Sequence, residues 1–320
     1  MRRKTPPTMN LYSSFLLASA LSLLSVTAQA QVATIAVGPR PESIIKAWDG
    51  KFYVSIQGPS GALGTFDGEV RQVDLSTGVV TPFVTGLENP RGLAFTGEFL
   101  IAADQQVIYK IDRAGNKSVL AVAAQFPFPA AFFNDAAAEE GGKAVYVTEM
   151  GRRDLIRDVA PSPNAGRLMP IDTDAAYAVP TTSRIYRITM DGAISSVVDP
   201  TRKLLVINGV TEVKKHKRLL ATDFFHGNIV EVDMKKGTNT IIATAFRGAD
   251  GIEQGSDGTI YVSSFENGAV WKMDANGANQ VRLLGDVGFQ TTADLYLDEA
   301  AQQLYVSNTG NGTVIVLSTK

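Results

Sequence analysis

Six short apolar segments recur along this 320-residue chain and limit its fold more than any other feature. They are Lys51-Phe52-Tyr53-Val54-Ser55, Glu98-Phe99-Leu100-Ile101-Ala102, Ala144-Val145-Tyr146-Val147-Thr148, Arg218-Leu219-Leu220-Ala221-Thr222, Thr259-Ile260-Tyr261-Val262-Ser263 and Gln303-Leu304-Tyr305-Val306-Ser307. Centre to centre they are 47, 46, 74, 41 and 44 residues apart, the long gap being one ordinary period plus about 30 inserted residues. Each segment is a strand-like run bounded by glycine or aspartate turns, and no long helical periodicity follows residue 30, so the chain reads as all-β. A period in the forties with several strands per unit is the pattern of a β-propeller. Third strands end near acidic turns at Asp74, Asp112, Asp191, Asp233 and Asp274, and fourth strands begin after Gly78, Gly115, Gly192, Gly237 and Gly277. The sixth unit stops short of a fourth strand, whereas Val32 to Val37 is strand-like and belongs to no unit. The expectation is a six-bladed β-propeller of four-stranded antiparallel blades over residues 31–320, closed by that N-terminal strand in the last blade.

Residues 1–30 differ from the rest. Arg2, Arg3 and Lys4 precede an apolar run from Phe15 to Val26, which ends in Ala28-Gln29-Ala30. This is the pattern of a secretory signal peptide, and the run of about a dozen residues is short of the roughly 20 that a spanning helix needs. Removal of this segment leaves 27 basic and 32 acidic residues, a net charge of −5. The expected product is a periplasmic or secreted monomer with no membrane span and no basic excess for nucleic acid. The absence of cysteine excludes disulfides, thiolate metal sites and a cysteine nucleophile; His216 and His226 are too few for a multi-histidine metal centre. Chemistry is left to carboxylates, amides and hydroxyls.

Counting back eleven residues from each recurrence reaches Glu42, Asn89, Asp135, Gly209, Asp250 and Asp294, and twelve back gives Asn134 and Asn208. Equivalent positions share a radius and a height in a propeller, so these side chains are expected to ring one end of the central channel. Carboxylate and amide oxygens converging on an axis suit calcium and, less well, magnesium. The same residue types also favour turns that lead into strands, where they bond their own backbone. Both readings stay open on the residues alone.

The arrangement resembles the calcium-dependent six-bladed propellers of the gluconolactonase, senescence marker protein, paraoxonase and squid-type phosphotriesterase-like superfamily. That resemblance implies a metal held by Glu42 in Pro41-Glu42-Ser43, Asn134 in Phe133-Asn134-Asp135, Asn208 in Ile207-Asn208-Gly209 and Asp250 in Ala249-Asp250-Gly251-Ile252. It departs in three places. Ser43-Ile44 replaces the family's Gly-Pro after the glutamate, Phe132 stands where an arginine is common, and Lys214-Lys215-His216-Lys217 replaces a Pro-Asp-Gly turn.

The function implied is an exported, metal-dependent lactonase or esterase acting on a small molecule, with Asp250 as ligand and candidate base or nucleophile. Asp135 and Asp294 are expected to orient the ligands. Two enlarged loops, near Gly151 to Pro180 and Gly58 to Thr65, should overhang the metal end. The first reads as a lid or as a solvated charged loop. His226 is a candidate catalytic contact or a surface histidine, and His216 is given no role. The rival function is a non-catalytic propeller that binds a protein or glycan on its top face. A quinone-cofactor dehydrogenase is disfavoured, because only Trp48 and Trp271 are present and no cysteine pair exists.

Overall fold

The computed structural model describes residues 31–60, 63–213, 216–285 and 291–320. The leader expected over residues 1–30, the Lys214-Lys215 part of one turn and two residues of the Gly58 to Thr65 loop lie outside them. Strand β1 (Gln31–Ala36) precedes six antiparallel meanders. Blade one is β2 (Pro41–Lys46), β3 (Phe52–Ile56), β4 (Gly68–Asp74) and β5 (Val79–Leu87). Blade two is β6 (Pro90–Phe95), β7 (Leu100–Asp104), β8 (Val107–Ile111) and β9 (Lys117–Val122). Blade three is β10 (Phe133–Ala138), β11 (Ala144–Glu149), β12 (Arg184–Thr189) and β13 (Ile194–Val198), with the short helix α1 (Asp174–Ala178) between β11 and β12. Blade four is β14 (Ile207–Val213), β15 (Arg218–Asp223), β16 (Ile229–Asp233) and β17 (Thr238–Ala243). Blade five is β18 (Ala249–Gln254), β19 (Ile260–Ser264), β20 (Ala269–Met273) and β21 (Val281–Leu284). Blade six is β22 (Thr292–Asp298), β23 (Gln303–Asn308) and β24 (Thr313–Ser318), and β1 completes it by pairing with β24 from Gln31↔Leu317 to Ala36↔Thr313. The six innermost strands pack each against the next, and β22 against β2, so the circle closes.

Burial follows radius. Every residue of β3, β7, β11 and β19 is buried, whereas β9 and β17 are largely exposed. The second strands are covered on both faces by neighbouring blades, which is why they read as unbroken apolar runs rather than alternating ones. Each of the six blade interfaces carries its own apolar layer. A seventh cluster lies beneath the blade-three insert, where Ile156, Met169 and Val179 are buried with Phe132, Leu205 and Phe224. The insert is therefore a lid seated by a few buried side chains, with most of its residues exposed to solvent. Arg157 bonds Glu266 of blade five, and Arg247 donates to the Met169 carbonyl at 2.8 Å.

One irregularity repeats in every blade and aims the site. The register passes from Pro41↔Ile56 to Ile44↔Val54, so three steps on the inner strand match two on its partner. The same extra residue follows Pro90, Phe133, Ile207, Ala249 and Thr292. Such a bulge bends the strand and re-aims a side chain. The N–H it frees is taken by a hydroxyl on the second strand: Asp135 N by Thr148 at 2.8 Å, Gly209 N by Thr222 at 2.7 Å and Gly251 N by Ser263 at 2.9 Å. The hydroxyls of Ser55, Thr222 and Ser263 then donate to the carbonyls of Arg91, Asp250 and Ala293 in the next blade. Three of the small hydroxyl residues that follow the recurring apolar pairs, Ser55, Thr222 and Ser263, thus brace adjacent blades. Close approach also explains Gly209, because a Cβ there would lie 2.2 Å from the Asp250 carbonyl oxygen.

Candidate functional site

The residue that each bulge turns toward the axis is Glu42, Arg91, Asn134, Asn208, Asp250 and Ala293 in blades one to six. Glu42, Arg91, Asn134, Asn208 and Asp250 line one cavity of about 150 Å³ at the lid end of the channel. The four residues expected to hold a metal are therefore brought together, each from a different blade. Glu42 accepts from Gln57 Nε2 at 2.7 Å and from Arg91 Nη1 at 3.0 Å. Asn134 Nδ2 turns to the Met150 sulfur at 3.0 Å, and Asn208 Nδ2 donates to Asp250 Oδ2 at 3.1 Å. The Asn208 carbonyl oxygen is buried without a hydrogen-bond partner. An orphaned buried acceptor calls for a ligand, because burying a polar atom unpaired costs about 1–3 kcal/mol. Among the described residues no three His, Cys, Asp or Glu side chains cluster to hold a metal, so a cation here would depend on the two amides.

Fixed counting misplaced part of the ring. The Pro90↔Asp104 pair makes Ile101, not Leu100, the equivalent of Tyr53, and the turns between inner and second strands differ in length. Blade two therefore contributes Arg91 to the axis, while Asn89 precedes β6 and donates its N–H to Asp104. Asp135 and Asp294 occupy the position after the ring residue and line a separate hollow toward the other end of the channel. Asp135 Oδ2 accepts from Val210 N at 2.8 Å, and Asp294 Oδ2 accepts from Ser43 Oγ at 2.6 Å. His226 lies away from the cavity. Its Nδ1 is 2.6 Å from Asp223 Oδ2, and its ring lines an outer depression with Arg202 and Ile241. From the same loop Phe224 does reach the cavity. The lid delivers Arg153, Ile156 and Arg157, and Gln57 follows β3; none of these was singled out by the repeat as lining the cavity.

Burial raises the carboxyls of Asp250, Asp135 and Asp294 above the ordinary range. Charge on Glu42 and Asp294 adds to the shift of Asp250, and Asp294 is pushed up to about 7. A carboxyl whose folded pKa lies above its unfolded value of about 4 holds its proton more tightly when folded, so stability falls as that proton is lost. Protein treated with chelator is expected to lose thermal stability as pH rises from about 4 to about 7, with a smaller loss in Asp294→Asn, as calorimetry across that range would measure.

Comparison with known proteins places these observations. A family model described as SMP-30/gluconolactonase/LRE-like region matches residues 62–310, which include Asn134, Asn208 and Asp250 but not Glu42. No curated protein matches the chain in sequence. Among solved structures, a gluconolactonase from Xanthomonas campestris is similar, with a TM-score of 0.65, 16% identity and 92% of each chain covered. A chain of a nidogen/laminin complex is similar with a TM-score of 0.55 and 14% identity, over 75% of this chain and 79% of that one. At these identities the likeness is one of fold.

Proposed function

The chain belongs to the SMP-30/gluconolactonase/LRE-like family, and from that premise we propose that it is an exported, metal-dependent hydrolase of small lactones or esters. The observation that carries the reading is the convergence of Glu42, Asn134, Asn208 and Asp250 on one cavity, with the Asn208 carbonyl oxygen left unpartnered. Two carboxylates and two amides are hard oxygen donors and fit a divalent cation, calcium above all, with coordination positions to spare. When bound, such an ion supplies Lewis-acid polarisation of a carbonyl. The side chains do the rest. Phe224, Phe265 and Ile156 give the cavity an apolar lining that restricts water, and Asp250, on the same cavity, would take the proton of an attacking water. The basic, apolar and Ala-Gln-Ala pattern of residues 1–30 supports export.

Purified protein is expected to carry a divalent metal by elemental analysis and to hydrolyse members of a lactone panel. Exhaustive chelation should abolish turnover and lower the melting temperature by about 5 °C or more, and calcium should restore both. Full hydrolysis after verified metal removal would overturn the metal-dependent reading.

A further inference from the structure

Four arginines, Arg40, Arg91, Arg153 and Arg157, line the same cavity as Glu42 and Asp250. Their partners are unequal. Arg157 is held by Glu266 at 2.5 Å and Arg91 by Glu42 at 3.0 Å. Arg40 rests on a neutral acceptor, Gln57 Oε1, at 2.9 and 3.2 Å. Arg153 makes no ion pair among the described residues; its guanidinium lies 3.9 Å from the Phe132 ring centre, with Arg91 over the same ring at 4.5 Å. Although Arg153 as a whole is exposed, desolvation of its guanidinium beside the Phe132 ring, and then the charges of Arg91 and Arg157, hold it below its ordinary value, at about 10. Arg40 adopts a φ of 55°, in the left-handed region that non-glycine residues seldom occupy. Phe132, which stands in place of an arginine common in related chains, is thus the platform on which two other arginines lie.

Glu42, Asp250 and Glu266 cannot balance four guanidinium groups, and a bound cation would widen the excess. We propose that the cavity selects an anionic substrate, a small lactone bearing a carboxylate, whose carboxylate is received by Arg40 and Arg153. This deepens the hydrolase reading and rests on it. A guanidinium matches a carboxylate with parallel hydrogen bonds, and a volume of about 150 Å³, which elsewhere takes a benzene, suits a single ring with one substituent. In hydrolysis the water oxygen bonds to the ring carbonyl carbon, the ring C–O bond breaks, the released oxygen takes one of the water's protons and the new carboxylic acid gives the other to solvent, leaving a hydroxy dicarboxylate.

The test pairs γ-butyrolactone with its carboxylated counterpart, the γ-lactone of hydroxyglutarate. Metal-replete protein is expected to favour the carboxylated lactone in kcat/KM by about tenfold or more, an advantage that shrinks with salt. Arg153→Gln and Arg40→Gln should each cut that ratio by about tenfold, and Arg153→Lys should recover part of it. Arg152→Gln, whose side chain pairs with Asp154 outside the cavity, should leave the ratio unchanged. Equal kcat/KM for the two lactones, or a ratio unmoved by Arg153→Gln, overturns the proposal while the hydrolase reading stands. If neither lactone turns over, calorimetry of hydroxyglutarate on chelated protein decides. Binding that Arg153→Gln and Arg40→Gln weaken supports the anion site without the hydrolase, and no binding to the unsubstituted protein overturns it.

Discussion

Asp250→Asn is expected to lower lactone hydrolysis by about 100- to 1,000-fold while the propeller stays folded. The substitution keeps the side-chain volume but removes the charge that a cation needs and the proton acceptor that an attacking water needs. Its structural cost should be small, because Asp250 is buried and carries a carboxyl raised by burial and by Glu42 and Asp294. Relief of that repulsion predicts a chelated variant at least as stable as chelated parent protein near neutral pH. The two readouts separate the roles: activity should collapse while the metal-free melting temperature holds or rises. Glu42→Gln should share the loss of activity. Full hydrolysis by both folded variants would place the chemistry elsewhere and favour a propeller that only binds.

Deletion of residues 31–36 should have the largest effect on stability. It removes β1, whose ladder with β24 runs from Gln31↔Leu317 to Ala36↔Thr313. About five backbone hydrogen bonds at 0.5–1.5 kcal/mol each amount to roughly 3–7 kcal/mol, comparable with the whole stability of many domains. The exposed edge of β24 is apolar, from Val314 to Leu317, and would be free to pair with other copies. The truncated protein is expected to be insoluble or to melt more than about 10 °C lower in thermal unfolding. A soluble truncated monomer with an unchanged melting temperature would show that closure by β1 is dispensable.

Much of the fold was legible because the second strands are covered on both faces and so repeat as apolar runs at a fixed period. The closing strand followed from a strand left over at one end and one missing at the other. Glu42, Asn134, Asn208 and Asp250 were named as one set by the family resemblance, whereas a constant count reached Glu42 and Asp250 but fell one residue late, on Asp135 and Gly209, in blades three and four. Arg91 was missed, since blade two is shifted by a residue and turn lengths vary, so a constant count fell on Asn89. A signal was present: Arg91-Gly92 has the same form as Asn208-Gly209 and Asp250-Gly251, with glycine where the next blade approaches. The lid arginines were visible as a charged stretch, but Ile156, Met169 and Val179 are scattered in it without periodicity. Only contact with Phe132 and Phe224 distinguishes a seat from a loop.

The repeated bulge separates what holds the ring together from what the ring does. In blades one, four and five a second-strand hydroxyl braces the next blade through a backbone carbonyl, so this bracing does not depend on which side chain stands at the axis, and that side chain works as an exchangeable fitting. Five of these fittings carry a charge or an amide, and the sixth, Ala293, is plain. A chain built this way can change its chemistry by single replacements at six known addresses without renegotiating its architecture.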